Sequence, residues 1–433
     1  MNHQIAFLII ATTIALFSMR LNFALTGLKL SADRAFWYTW LFLVWSAELV
    51  TTIPFFDLYN QYPIDPTTRK LVLIVFMTAA IGFLIGSILY RQAQGGVGNL
   101  PLEGSGVSLA RRWQRVIASA IFVFGAYEFA SNRSRFSDLL DLRLAAVSGD
   151  LLYSPVSVQF FYFAQAFILF LGFSDGLSGR VSRHLVTMSV GGLILHNLSL
   201  GGRINVVVAP ALYLIALIIS ASQRPDWSFN TRSEIRRTVR TFVISIMFAF
   251  TAIGLLRSQS MRDSLISDPY SFLFNSIFAI PMYVSDTYIS ISVHSMHAME
   301  ALVPFGYFTF DAFYRLASLL VPSTSLDVGD VFGHGYYRDT AAPWAWTQTN
   351  MIPRLIADFG SNFWLAIAPI AIIAQWMSLY RFRMRYFGIA VRSMMVLCSA
   401  YSILGLFWFS AFTVYTLLYA FILHILVNSR PSR

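Results

Sequence analysis

Apolar residues run in long stretches along this chain, and polar residues collect in the short gaps between them. Eleven stretches read as membrane-crossing helices, at 4–19, 35–56, 71–90, 116–130, 156–173, 185–200, 204–221, 241–256, 362–379, 393–404 and 407–427. A helix needs roughly 20 mostly apolar residues to cross the hydrocarbon core, and helices satisfy their own backbone polar groups in lipid. The pattern predicts an all-α polytopic membrane protein of about eleven spans, within a range of 10–14. It also predicts three sequential parts. These are an N-terminal bundle of about eight spans over 1–256, a large structured loop over 257–360, and about three C-terminal spans with a tail over 361–433.

Composition narrows this further. The chain is 57% hydrophobic and 12% charged, with a mean hydropathy of +0.62. Soluble domains carry roughly 25% charged residues, so disorder, collagen, coiled-coil and disulfide scaffolds are excluded. Cys398 is alone and sits in an apolar run, which leaves no internal disulfide and no CxxC metal site.

Charge sets the expected orientation. Most of the 31 basic residues fall in one alternating set of short loops, placed in the cytoplasm by the positive-inside rule. They are Arg20, Lys29, Arg34, Arg91, Arg111, Arg112, Arg115, Arg180, Arg183, Arg224, Arg232, Arg236, Arg237, Arg240, Arg381, Arg383, Arg385, Arg392, Arg430 and Arg433. The N-terminus is then outside and the C-terminus inside. No Lys or Arg precedes Arg20, so the first stretch lacks the basic start of a cleaved signal peptide. Scattered over short loops, the net charge of +10 does not indicate a nucleic-acid partner.

The loop 257–360 is far longer than ordinary connections, and long structured loops are usually functional. Its stretches 271–291 and 301–321 are apolar and aromatic, broken by Pro281, Pro304 and Gly306. They suit re-entrant or interfacial helices, or one extra pair of spans.

The candidate chemistry lies on the outer side. Arg203 follows Gly201-Gly202 at the end of a span; it reads either as a snorkelling turn residue or as a docking point for an anionic lipid head group. Arg133, Arg135 and Arg143 alternate with Asp138, Asp141 and Asp150 in one outer loop. The tract 333–346 concentrates His334, Tyr336, Tyr337, Arg338, Asp339, Trp344 and Trp346. Aromatic faces stack on sugar rings, Arg and Asp bond hydroxyls or phosphates, and Trp and Tyr also suit a membrane interface. Arg354 and Asp358 are i, i+4 on one helix face and also read as an intrahelical ion pair. His294, His297 and Glu300 share a face without completing a zinc motif, so no metal is assigned. Glu48, Glu128 and His196 lie within spans, where an ionisable group is a functional candidate by default. The chain has no P-loop, no GxGxxG and no DxD pair, and so no cofactor or nucleotide donor is implied.

With Gly201-Gly202-Arg203, Phe305-Gly-Tyr-Phe-Thr-Phe-Asp-Ala-Phe-Tyr-Arg-Leu and Arg354-Leu-Ile-Ala-Asp-Phe-Gly, the chain resembles the Wzy-type O-antigen and exopolysaccharide repeat-unit polymerases. The layout of ten or more helices with one large outer loop in the second half is also similar. The resemblance implies a metal-independent, integral-membrane glycosyltransferase with a GT-C-like architecture at the periplasmic face of the bacterial inner membrane. It would use undecaprenyl-pyrophosphate-linked oligosaccharide, with membrane lipid around it and a chain-length regulator and a flippase as partners. Arg203, Arg338 and Arg354, then Arg143 and Arg315, are the residues it implies for pyrophosphate. Tyr336, Tyr337 and Trp344 would face sugar, and His334, Asp339 or Asp358 would serve as base. The competing readings are an O-antigen ligase and a lipid-linked oligosaccharide flippase or transporter, the latter resting on Glu48.

Overall fold

The computed structural model describes residues 2–28, 30–52, 64–94, 109–135, 155–199, 205–223, 233, 236–242, 244–245, 281, 284–285, 287–300, 303–318, 350–380 and 385–428. Among these residues the chain is helical, with no strand. The helices are α1 (Asn2–Thr26), α2 (Ala32–Val50), α3 (Pro66–Gln94), α4 (Arg111–Arg135), α5 (Pro155–Ser178), α6 (Arg183–Ser199) and α7 (Asn205–Ala221). They continue with α8 (Ile291–Glu300), α9 (Asp311–Ser318), α10 (Met351–Phe359), α11 (Phe363–Leu379), α12 (Arg385–Tyr401) and α13 (Ala411–Asn428). Among the described residues, four runs are long and apolar enough to cross a membrane: His3–Thr26, Pro66–Ala93, Val156–Ser178 and Met351–Leu379. The protein is an all-α membrane protein.

Several helix ends depart from the hydropathy edges. The stretch 71–90 lies inside α3, which runs from Pro66 to Gln94, because a helix that must close its hydrogen bonds in lipid carries on through its polar flanks. Residues 35–56 narrow to α2, which ends at Val50. The stretch 362–379 lengthens backwards into Met351–Leu379, with Gly360 (φ +60°) and a 3₁₀ turn joining α10 to α11. Most of the stretch 241–256 lies outside the described residues.

The chain forms two compact units, each drawn from separate parts of the sequence. One comprises 1–102, 280–381 and 394–414; the other comprises 103–279, 382–393 and 415–433.

In the first unit, α3 packs on α11 through Gly82 and Gly86, four residues apart. A Cβ on Gly82 would lie 2.7 Å from the Ala368 carbonyl oxygen, so the backbones approach as closely as small residues allow. Phe36, Trp37, Trp40, Phe76 and Phe83 form an edge-to-face aromatic core. A buried polar chain ties four helices together. Trp37 Nε1 donates to Ser18 Oγ (3.1 Å), Ser87 Oγ donates to Asn22 Oδ1 (2.8 Å) and Gln375 Nε2 donates to Ser87 Oγ (3.0 Å). The first amides of α2 end on α11, Ala32 N on Ser378 Oγ and Asp33 N on Gln375 Oε1, both at 3.1 Å. Those side chains satisfy donors that a helix start otherwise leaves open.

In the second unit, α4 packs on α6 and α5 on α7. Gly172 and Gly176 admit α7, while Gly125 and Gly192 admit α4 and α6 to one another. A Cβ on Gly192 would stand 2.5 Å from the Ile121 carbonyl oxygen, whereas one on the adjacent Gly191 would meet only the Phe122 ring, at 3.7 Å. Gly192→Ala is therefore expected to cost about 1–3 kcal/mol through overpacking. Gly191→Ala is expected to be neutral or to gain up to about 1 kcal/mol from helix propensity. Thermal melting of the two purified variants, side by side in detergent, checks the contrast.

Candidate functional site

Helix α10 starts at a junction of three segments. Asn350 caps it, accepting from Ile352 N at 2.9 Å, while Asn350 Nδ2 donates to the Thr287 carbonyl at 2.9 Å. Met351 N donates to the Ser402 carbonyl at 3.1 Å. Pro353 falls in the first turn, where its missing N–H costs no helix bond. Met351, Ile352, Leu355 and Ile356 are buried.

One turn further on, the buried Asp358 carboxylate holds a segment fifty positions away. Its Oδ1 accepts from Phe308 N at 2.9 Å, and its Oδ2 accepts from Thr309 N at 2.6 Å and from Thr309 Oγ1 at 2.7 Å. Phe305 also sets its ring against Phe359, with centroids 5.0 Å apart. Both oxygens of Asp358 are thus engaged by donors, and a role as proton acceptor would require those bonds to break.

Arg354 sits half-buried at this clasp. Its guanidinium lies 6.0 Å from the Phe308 ring centroid, and Asp311 and Asp358 are the carboxylates whose charges act on it. Asp311 Oδ2 also accepts from Ala411 N, at 3.2 Å, at the start of α13. Gly405, with φ +157°, borders the guanidinium: a Cβ there would lie 3.1 Å from Arg354 Nη1. The guanidinium thus lies among an aromatic ring, two carboxylates and the bare backbone of Gly405, and its planar fork is of the kind that matches an anionic oxygen ligand.

Glu48 and Glu128, the intramembrane acids singled out in the sequence, each have a partner. In the first unit, Arg69 grips Glu48 bidentately, Nε to Oε1 at 2.8 Å and Nη2 to Oε2 at 2.9 Å. Glu48 is 1% exposed, and the buried Tyr288 lies within electrostatic reach of both charges. The partner of Glu48 is thus a residue from the polar start of α3, twenty-one positions on. In the second unit, Glu128 bonds both His196 Nδ1 and Ser157 Oγ, and the Phe161 ring lies 4.3 Å from the imidazole.

Of the residues singled out in the sequence, Arg354 and Asp358 are brought together with the 305–316 stretch. The backbone of Arg315 lies in α9, and its side chain is outside the described residues. Arg143, Arg203, His334, Tyr336, Tyr337, Arg338, Asp339 and Trp344 also lie outside them. His294 is buried and Glu300 exposed, so these two do not share one environment. Sequence reasoning missed Asp311, Gly405 and Arg69. Asp311 stands within the stretch that carried the resemblance, but nothing local marks Gly405 or links Arg69 to Glu48.

The fold and the site define a class: an all-α membrane protein with a half-buried arginine clasped between two distant aromatic segments. Comparison with protein-family models, with curated proteins and with solved structures gives no match.

Proposed function

We propose that the protein is an integral-membrane glycosyltransferase that polymerises undecaprenyl-pyrophosphate-linked oligosaccharide repeats into O-antigen or exopolysaccharide. In this reading it has about eleven spans and a GT-C-like architecture in the bacterial inner membrane. Its N-terminus is periplasmic, its C-terminus is cytoplasmic and its site faces the periplasm. The observation that carries the reading is the clasp. Asp358 bonds the backbone at 308–309, joining the two longest stretches of the resemblance beside the Arg354 guanidinium.

The reaction is an in-line displacement at the anomeric carbon of the growing chain. The acceptor hydroxyl oxygen forms the new bond to C1, and the bond from C1 to the pyrophosphate oxygen breaks. The electron pair leaves with the pyrophosphate lipid, and the hydroxyl proton passes to a base. Arg354 stabilises the negative charge that develops on the leaving group, a role that needs no metal. Arg203, Arg338, Arg143 and Arg315 are the further arginines assigned to the two pyrophosphates, and Tyr336, Tyr337 and Trp344 are assigned to sugar. Asp358 holds the clasp, which leaves His334 or Asp339 as the base. A chain-length regulator and a flippase are the expected partners. The transport reading rested on Glu48, which is held bidentately by Arg69.

A deletion strain tests the proposal, with surface glycan and the lipid-linked pool both resolved on gels. The expected result is surface material capped by a single repeat, restored to a ladder by complementation. Long lipid-linked polymer with nothing ligated would indicate the ligase instead, and unchanged ladders would overturn the reading.

A further inference from the structure

Segment 303–318 carries apolar residues that are buried and others that are exposed. Phe308, Thr309 and Ala312 are buried against the rest of the first unit. Phe305 is 73%, Phe310 38%, Phe313 61% and Leu316 54% exposed, where a water-facing segment would carry polar groups, and the Phe310 ring also lies 6.0 Å from that of Phe409. The segment is held firmly. Gly306 turns with φ +72°, Phe310 N donates to the Gly306 carbonyl at 2.8 Å, and Tyr314 Oη donates to the Phe305 carbonyl at 2.8 Å.

Its position identifies what covers the exposed side. The Asp358 bonds and the Phe305–Phe359 ring contact fix the segment to the first turns of the Met351–Leu379 run. Trp364, Leu365 and Ile373 on that run are themselves exposed apolar side chains, as a helix crossing a bilayer presents to lipid. The turn Gly360–Asn362 separates Phe359 from Trp364, five residues on and so within about 18 Å along the chain. The exposed apolar side chains of 303–318 thus sit at the end of a run whose own exposed side chains are apolar. At eight residues α9 is far too short to cross the bilayer itself.

We infer that Phe305, Phe310, Phe313 and Leu316 form a ridge that seats among the phospholipid acyl chains at the end of the Met351–Leu379 span. The 303–318 segment then lies in the membrane interface and fixes the depth of the Arg354 clasp relative to the lipid head groups. This inference is independent of the glycosyltransferase reading, since any activity at the clasp would be positioned in the same way.

A nitroxide placed by Phe313→Cys, in a Cys398→Ser background of the full chain, tests it. The protein is reconstituted in vesicles of phosphatidylcholine and phosphatidylglycerol. Power saturation is then measured with molecular oxygen, which partitions into acyl chains, and with a nickel chelate, which stays in water. The expected result is oxygen collision several-fold above nickel collision, matching a label at Leu365→Cys on the span. Nickel collision above oxygen would place the ridge in water and overturn the inference. Low collision with both would mean that the chain itself covers the ridge, and would overturn it equally. Labels at Phe305→Cys and Leu316→Cys repeat the measurement where the residue 313 variant fails to fold.

Discussion

Arg354→Ala is expected to lower polymer synthesis by about 10²–10³-fold, the loss typical of removing one donor from developing negative charge. The effect should fall mainly on kcat, because the charge that Arg354 meets grows as the pyrophosphate departs. Arg354→Lys keeps the charge but loses the planar fork, and should retain an intermediate rate. Gly405→Ala should follow the alanine variant in part, since its new methyl group would stand 3.1 Å from Nη1 on a backbone with φ +157°. Incorporation of lipid-linked repeats by purified protein in vesicles measures all three. Wild-type chain lengths and rates from a stable Arg354→Ala variant would remove Arg354 from the reaction.

The largest stability effect is expected at the other arginine. Arg69→Ala leaves the Glu48 carboxylate at 1% exposure without its bidentate partner. Breaking one side of a buried pair costs about 3–5 kcal/mol. The lower end is expected here, because Arg69 is 21% exposed and water screens it in part. Replacing both members, as Glu48→Leu with Arg69→Met, removes the stranded charge and should recover most of the loss. Melting of the single and double variants in detergent decides the matter: the double variant should melt above Arg69→Ala. The reverse order would mean that the pair contributes more than the desolvation it offsets.

The helical class was legible because lipid imposes it. An apolar stretch in a bilayer has few alternatives to a helix, so runs such as 71–90 and 156–173 located α3 and α5 to within a turn or two at each end. The polar flanks were not legible, since hydropathy marks where lipid begins and not where backbone hydrogen bonding stops. Pairing was partly encoded. Gly82 with Gly86 and Gly172 with Gly176 are i, i+4 repeats of the kind that let helices meet, a signal available in the spacing but passed over. At the site, the one-face relation of Arg354 and Asp358 was readable from helical period. That Asp358 would spend both oxygens on Phe308 and Thr309 was not, because no local rule links positions fifty apart. Glu48 read as an isolated intramembrane acid for the same reason, with its partner hidden in the polar start of the next helix.

The order in which this chain leaves the ribosome bears on how its first unit is completed. Trp40 Nε1 on α2 donates to Ser402 Oγ, 362 positions later, and the first amides of α2 depend on Gln375 and Ser378. At about 5–20 residues per second, roughly 20–70 s of translation separate Trp40 from Ser402. During that interval α2 is in the membrane with its indole N–H and its leading amides unsatisfied by their final partners. A nascent chain stalled before residue 375 would therefore hold unmet polar groups in lipid, a cost relieved only once Gln375, Ser378 and Ser402 arrive.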